Sequence, residues 1–345
     1  EKWNHFGCFL INVLCCLALI LSRGVAWECI NISQKEIIDG VIWRVQNCTT
    51  NINVSKPLLK INSVHIDLTR SDLRLIPQVA KNSSLGSLPL IAAQNPSLIA
   101  GINGGYFWRV DIDGFWRDNV CRGKLRSDAE LPASSDCPNC GIGDGALNIN
   151  GVIESSNCDC IGYSRPAVFA LNGVYSEINV LERGDYVDPL IFPNVISAGP
   201  NLVSLNKTTG LGYVDIPNDD DNINRLVYEA ATAVGIIQVL DINNSSNTTK
   251  AQEAIFVTSD GSDSCHPQER YCGLQSSHLA TLMTDIFGVT QAMSMDQGGS
   301  TTMWINGQDN DGVVSNSDNK SPGGGGTRAI ANGLFVEKVV SFFED

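Results

Sequence analysis

Short apolar runs that stop at glycine-bearing polar turns recur along this 345-residue chain, while helical spacing of apolar residues is clear in one segment. Strands place alternate side chains on opposite faces, so a chain built from many of them must bury sheet faces against one another or under a few helices. Ser63–Leu68 alternates as a strand does, Leu98–Ile102 is continuously apolar as a buried strand would be, and Arg328–Val336 reads as a closing strand. Asn-Gly dipeptides at Asn150-Gly151, Asn172-Gly173, Asn306-Gly307 and Asn332-Gly333 supply the positive φ values of two-residue hairpins. After Gly273, apolar residues at Leu279, Leu282, Met283, Ile286 and Phe287 keep to one helical face, with Ser276 or Ser277 able to cap the start and Gly288 able to end it. His278 falls beside core Leu279, as expected of a solvated or half-buried residue. Residues 70–96 are rich in Ser, Asn and Pro and predict a loop with a short helix; Ser317–Gly326 is a loop by composition. No βαβ alternation is visible. The fold class expected is α+β, with mixed or antiparallel strands and few helices.

The N-terminal pattern assigns a compartment. Phe6–Leu21 is an apolar run preceded by Lys2 and followed by Gly24-Val25-Ala26, the arrangement of a secretory signal cut after Ala26; the run is shorter than the roughly 20 residues of a membrane span. Asn-X-Ser/Thr sequons fall at Asn31, Asn47, Asn53, Asn82, Asn206, Asn243, Asn244 and Asn247. Cysteines beyond the signal (Cys29, Cys48, Cys121, Cys137, Cys140, Cys158, Cys160, Cys265 and Cys272) suit disulfides in an oxidising lumen, with one left over; Cys158-x-Cys160 is a poor partner to Cys137-x-x-Cys140 for zinc. The expected division is a signal at 1–26, a glycosylated strand segment at 27–62, and a catalytic domain at 63–345. The product would be secreted or lumenal, without a stable membrane span after signal removal. A formal charge of −14 disfavours nucleic acid and anionic membrane surfaces as partners.

Four segments carry chemistry: Ile102–Phe107, Ser197–Leu202, Ser259–Gly261 and Asp296–Thr301. Each ends an apolar run at a glycine-bearing turn with Asn or Asp beside it. In the last, a carboxylate at a strand end is followed by Gln297, Gly298, Gly299, Ser300 and Thr301, a place able to hold an acid against a sugar ring and offer donors to an oxyanion. Asp111-Ile-Asp113-Gly114 and Asp309-Asn-Asp311-Gly312 faintly suggest calcium loops, but neither continues to the Glu of an EF-hand, so no cofactor or metal is required. No Ser-His-Asp or Cys-His arrangement is recognisable.

These residues resemble the phosphodiester glycosidase family. The matching pieces, in the family's order and with a helix in the expected place, are Asn103-Gly104-Gly105-Tyr106-Phe107, Gly199-Pro200-Asn201-Leu202, Asp260-Gly261, Met295-Asp296-Gln297-Gly298-Gly299-Ser300-Thr301 and Arg328-Ala-Ile-Ala-Asn332. Together they span roughly residues 60–338; any single piece is weak, the ordered set specific. Gln297 stands at the first Gly of the family's triplet, an exchange that would strain the turn if that position needs positive φ. Ser262 and Ala231 stand where the family pattern has Arg, leaving Arg328 in place and Arg165 as a substitute.

The resemblance implies hydrolysis of a sugar-1-phosphodiester of the N-acetylglucosamine-α-1-phospho-sugar type. A phosphate leaving group needs little acid help, so a carboxylate that balances an oxocarbenium-like centre or activates water suffices. Asp296 is the expected catalytic carboxylate and Asp260 its partner. Asn103, Gly104 and Gly105 are expected to hold sugar hydroxyls; Gly298, Gly299, Ser300 and Thr301, with Arg328, would bind phosphate oxygens. Two other readings fit the same residues: a hydrolase of polymeric surface phosphoglycan, and a glycan-binding protein that kept the fold without turnover.

Overall fold

The computed structural model describes residues 27–50, 59–80, 86–105, 147–155, 167–172, 175–180, 190–216, 229–240, 249–261, 273–315 and 328–339. Three sheets and two α-helices organise them. An eight-stranded sheet runs in the order β1 (Trp27–Ile38), β2 (Val41–Thr50), β3 (Leu59–Asp67), β14 (Thr249–Ser259), β13 (Ala231–Leu240), β15 (Gln291–Ser294), β11 (Asn201–Leu205), β12 (Gly212–Val214). A four-stranded sheet has the order β16 (Met303–Ile305), β5 (Leu98–Asn103), β17 (Asn332–Lys338), β4 (Leu73–Val79). A five-stranded sheet has the order β7 (Val152–Ser155), β6 (Leu147–Ile149), β10 (Asn194–Ala198), β8 (Ala167–Asn172), β9 (Tyr175–Val180). Every strand pairing among the described residues is antiparallel, in keeping with the expected α+β class.

Period-two alternation sorts the apolar residues into layers. On β13 and β14, Val234, Ile236, Ala254 and Phe256 enter a central core with Ala100, Ile102, Met303, Leu334 and Val336 of the four-stranded sheet and Phe169, Leu171 and Ile196 of the five-stranded one. The residues between them, Ala231, Ala233, Ile255 and Val257, face outward and are covered by α2 (Ser276–Asp285) through Leu279, Leu282 and Met283. Behind the four-stranded sheet, α1 (Leu88–Ala92) covers Ile76, Trp304 and Phe335 with Leu88 and Ile91. Each such fully buried side chain contributes about 1.5–3 kcal/mol.

The expected helix is present, and Gly288 ends it at φ 64° with its N–H on the Thr284 carbonyl oxygen at 3.1 Å. Its start differs: Gln275 occupies the cap position but its side chain does not cap the helix, while the Ser276 hydroxyl is buried without a partner among the described residues. His278, on α2 itself, is buried rather than half-solvated, and burial lowers its pKa below the usual imidazole value. Residues 70–96 hold β4 as well as the short helix. Pro77 is tolerated there because β4 pairs on one side only, with β17, so the missing N–H faces no neighbouring strand. Asn150-Gly151 makes the expected hairpin between β6 and β7, with φ values of 50° and 82°, and Asn172 faces Tyr175 across the β8–β9 hairpin. Asn306-Gly307 instead leads from β16 into a short 3-10 turn, and Asn332-Gly333 lies inside β17. Cys29 and Cys48, opposite each other on β1 and β2, form a disulfide; the other cysteines expected to pair lie outside the described residues, as do Ser317–Gly326 and the signal segment.

Because His278 is held neutral in the folded state, protonation favours the unfolded chain. Its stabilising contribution is therefore present above the ordinary imidazole pKa near 6.5 and is lost as pH falls through the lower folded value. Urea unfolding at a series of pH values should show stability falling below about pH 6.5, and His278→Gln should flatten that slope.

Candidate functional site

Register brings one end of each sheet to a single corner. Ala231 on β13 faces Ser259 on β14, Ala233 faces Ser294 on β15, Met293 faces Asn201 on β11, and Ser259 also faces Ile61 on β3. This end of the eight-stranded sheet therefore carries Lys60, Asp260, Asp296 and the Gly199-Pro200 turn side by side. From the four-stranded sheet, Asn103 at the end of β5 faces Gly333 at the start of β17. From the five-stranded sheet, β10 ends in Ser197-Ala198.

Direct contacts lock these ends together. The Asp296 N–H donates to the Gly104 carbonyl oxygen at 3.0 Å, Gly199 N–H to Ser294 at 3.0 Å, and Gly298 N–H to Ala230 at 2.7 Å. Ala230 is also the surface on which Gly261 rests, since a Cβ there would come within 2.6 Å of the Ala230 nitrogen. All four turns singled out from the sequence thus meet at one place.

Asn103 is the clamp between them. Its Nδ2 donates to the Asp296 carbonyl oxygen at 2.7 Å; its Oδ1 accepts from the Thr232 hydroxyl at 2.7 Å and the Thr302 N–H at 3.0 Å. The side chain is fully buried, with its amide spent on the protein itself. It holds both ends of the Asp296–Thr302 segment instead of presenting its amide to a sugar hydroxyl. Asn332 does the same for the glycine pair: its Oδ1 accepts from Gly105 N–H and its carbonyl oxygen from Gly104 N–H, both at 2.9 Å. A Cβ on Gly104 would lie 1.8 Å from Asn332 Oδ1, and one on Gly105 2.1 Å from the Ser197 carbonyl oxygen. Close approach, not positive φ, is what demands glycine at both positions.

The segment after Asp296 is not the simple hairpin turn its sequence suggests. β15 belongs to the eight-stranded sheet and β16 to the four-stranded one, so residues 295–302 carry the chain from one sheet to the other. Gln297 is extended (φ −115°, ψ −174°) and unstrained; the left-handed position is Gly298, at φ 63°. The Gln297 N–H donates to Asp296 Oδ1 at 2.9 Å, and its Nε2 donates to the Ser294 hydroxyl. The exchange of Gly for Gln at this position therefore leaves the turn intact. Gly298 to Ser300 form one 3-10 turn, in which Ser300 N–H reaches the Gln297 carbonyl oxygen at 3.3 Å and Thr301 N–H the Gly298 carbonyl oxygen at 3.0 Å. The backbone donors of Gly298 and Ser300, expected to meet phosphate, are thus engaged within the protein, and Gly299 is buried between them.

What the corner leaves open is a set of side-chain oxygens. Ser197 Oγ, Gln297 Oε1, Ser300 Oγ and Thr301 Oγ1 are buried without a hydrogen-bond partner. Each such orphan costs about 1–3 kcal/mol unless something polar completes it. Asp296, which opens the segment bearing three of them, is half-buried, and Asp260 is 14% exposed, with Lys60 Nζ 3.9 Å from its Oδ2. Arg328 is half-buried four residues before Asn332 and forms no ion pair among the described residues. Ala231 lies in the outer core under α2, on the face of β13 away from Thr232, so an arginine there would point away from the corner. Ser262, Arg165, Tyr106 and Phe107 lie outside the described residues, as does the Asp111–Gly114 loop. Asp309–Gly312 forms a 3-10 turn, and among the described residues no group of three or more His, Cys, Asp or Glu side chains assembles. Thr232 and Ser294 were not anticipated as site residues; their one sequence signal is a hydroxyl inside an otherwise apolar strand.

A half-buried carboxylate at a sheet junction, with unsatisfied hydroxyls on the same segment, suits a carbohydrate-processing hydrolase. Residues 169–337 match the family model of phosphodiester glycosidases, and the chain carries that family's domain: it is a hydrolase of phosphodiester-linked sugars. Its fold is similar to the catalytic domain of zebrafish N-acetylglucosamine-1-phosphodiester α-N-acetylglucosaminidase, auto-inhibited by its pro-peptide (TM-score 0.56, 16% identity, covering 92% of this chain and 90% of that one). It is also similar to a protein from Burkholderia pseudomallei whose name marks it as exported (TM-score 0.51, 11% identity, 91% and 97% covered). At these identities the likeness is one of fold. No curated protein matches the chain.

Replacing Asn103 by Ala removes three buried bonds and strands the Thr232 hydroxyl and Thr302 N–H. Chemical denaturation should register a loss of about 2–4 kcal/mol. Gln297→Gly, by contrast, should give no gain in stability, because there is no backbone strain to relieve; a clear stabilisation would contradict the extended geometry at this position.

Proposed function

We propose that this protein hydrolyses N-acetylglucosamine-α-1-phosphodiesters, and does so in the secretory lumen or outside the cell. The observation that carries the reading is the half-buried Asp296 at the junction of the sheets, where the Ser197, Ser300 and Thr301 hydroxyls are buried without a partner among the described residues. Such hydroxyls donate to phosphate oxygens or accept from sugar hydroxyls, completing their own bonding as the ligand enters. Asp296 balances the positive charge that develops at the anomeric carbon, or takes a proton from the attacking water. The C1–O bond breaks, and the phosphomonoester leaves without strong acid help. Asp260 acts as the second carboxylate, with Lys60 moderating its charge. Gly104, Gly105 and Asn103 shape the floor, and Arg328 contributes positive charge on the approach. The substrate in the name of the structurally similar zebrafish enzyme supports the choice of sugar. The Phe6–Leu21 run and the Cys29–Cys48 disulfide support the compartment, and no helix among the described residues is long and apolar enough to cross a membrane.

Turnover of a GlcNAc-α-1-phospho-mannoside should fall about 10²–10⁴-fold in Asp296→Asn with folding intact. In heavy-oxygen water the label should appear in the released sugar. Unchanged turnover in the variant would remove Asp296 from the mechanism, and label in the phosphate would make the reaction a phosphodiesterase. Binding of N-acetylglucosamine-1-phosphate without turnover by the wild type would favour the glycan-binding alternative. Ser300→Ala and Thr301→Ala should each raise KM or lower kcat/KM by about tenfold, the effect of losing one hydrogen bond to a charged oxygen.

A further inference from the structure

Among the described residues the eight-stranded sheet has two open edges, and each bears a sequon. β1 is one edge and β12 the other. β1 is 12 residues long and presents Ile30 and Ile32, 70% and 57% exposed; the β12 edge presents Leu211 and Tyr213, 67% and 49% exposed. An uncovered strand edge with apolar side chains is a template for another strand, and proteins that must stay soluble blunt it. Here the only bulges in β1 fall at Asn31–Ser33 and Glu36–Ile38, and the rest of the strand is regular.

Asn31-Ile32-Ser33 coincides with the first of these bulges, and Asn31 is exposed. Asn206-Lys207-Thr208 opens the turn that joins β11 to β12 and is likewise exposed. Its geometry suits a modified asparagine. Oδ1 accepts the Thr208 and Thr209 N–H groups at 2.9 and 3.1 Å, while the backbone N–H and carbonyl of Asn206 close the turn onto Leu211 and Gly210 at 2.8 Å each. The amide oxygen is thereby fixed, and Nδ2 takes no part in the turn. The third described sequon, Asn47-Cys48-Thr49, is placed differently. Asn47 lies half-buried on β2, between β1 and β3, and Cys48 is fully buried in the disulfide.

We infer that Asn31 and Asn206 are N-glycosylated and that their glycans shield the two edges of the eight-stranded sheet from strand-to-strand association. The inference rests on passage through the secretory pathway as proposed above. A lipid-diphosphate-linked oligosaccharide donates its reducing-end sugar to Nδ2. The C1–Nδ2 bond forms as the C1–O bond to the diphosphate breaks; Nδ2 loses one proton and the lipid diphosphate departs. A hydrated glycan at either position occupies the space a second strand would need.

The test is expression of the full chain behind a strong heterologous secretion leader in a glycosylating host, so that delivery does not depend on the chain's own N-terminal segment. Peptide mass analysis before and after enzymatic deglycosylation should find glycan at Asn31 and Asn206 and none at Asn47. Secreted protein with Asn31 or Asn206 unmodified overturns the inference without touching the catalytic reading, which is assayed separately on the same sample. The Asn31→Gln/Asn206→Gln double variant should migrate faster by two glycan steps. By light scattering it should self-associate at concentrations where the wild type is monodisperse, while its soluble fraction keeps wild-type turnover. A double variant as monodisperse as the wild type overturns the shielding role.

Discussion

The site depends on one buried amide. Asn103 reaches the Asp296 carbonyl with its nitrogen and the Thr232 hydroxyl and Thr302 N–H with its oxygen, tying β5 of one sheet to β13 of another and to both ends of the crossing segment. Only an amide can do this, since the position requires a donor and a double acceptor on one planar group. A carboxylate would bring the wrong charge into a fully buried place and lose the donor. With the amide in place, the backbone around Asp296 is fixed from two sides, and the Gln297 N–H holds one oxygen of its carboxylate.

The glycines follow from the same compression. Three sheets cannot end at one corner unless backbones touch, and Gly104, Gly105 and Gly261 are where they touch: against Asn332, Ser197 and Ala230. Gly298 answers a different need, the left-handed turn that redirects the chain between sheets. Motif glycines that look alike in the sequence therefore divide into three that yield space and one that yields conformation. Gln297 is accommodated because its position asks for neither; its side chain instead adds a bond to Ser294.

Much of this was legible before the structure. The helix from its apolar spacing, the buried strand Leu98–Ile102 and the Asn150-Gly151 hairpin follow from local pattern, because burial and positive φ leave marks on nearby residues; the gathering of four turns was implied by their ordered resemblance to the family. What escaped was set by distant partners. Asn332-Gly333 has the composition of a turn yet lies in β17, where Asn332 is needed for its carbonyl and amide oxygens and Gly333 for closeness to Leu88 and Phe335. Residues 73–79 look like loop because of Pro77, which only an edge position excuses. The backbone donors of Gly298 and Ser300 look available in the sequence and are engaged in the fold by Ala230 and Gln297. Strand pairings separated by more than a hundred residues decide the first two; the reach to Ala230 and the local 3-10 turn decide the third.

The charge balance bears on how such a corner can meet an anion. With a net charge of −14 the chain repels phosphate at long range, and the long-range field weakens with salt, over a Debye length of about 8–10 Å. Near the corner, Lys60 is already placed against Asp260 and lies 41% exposed, where its charge is well screened. The buried groups that remain unfilled among the described residues are neutral, Ser197, Ser300, Thr301 and the Gln297 carbonyl, and Arg328 is the cation without an ion pair proposed for the approach. Hydroxyl donors act only at contact distance, so they discriminate by geometry rather than by attraction. A site of this kind does not draw in free phosphate merely because it is charged. Under the proposed reading, a diester that presents oxygens and a sugar ring to the hydroxyls and Asp296 at once satisfies more of these groups than free phosphate does.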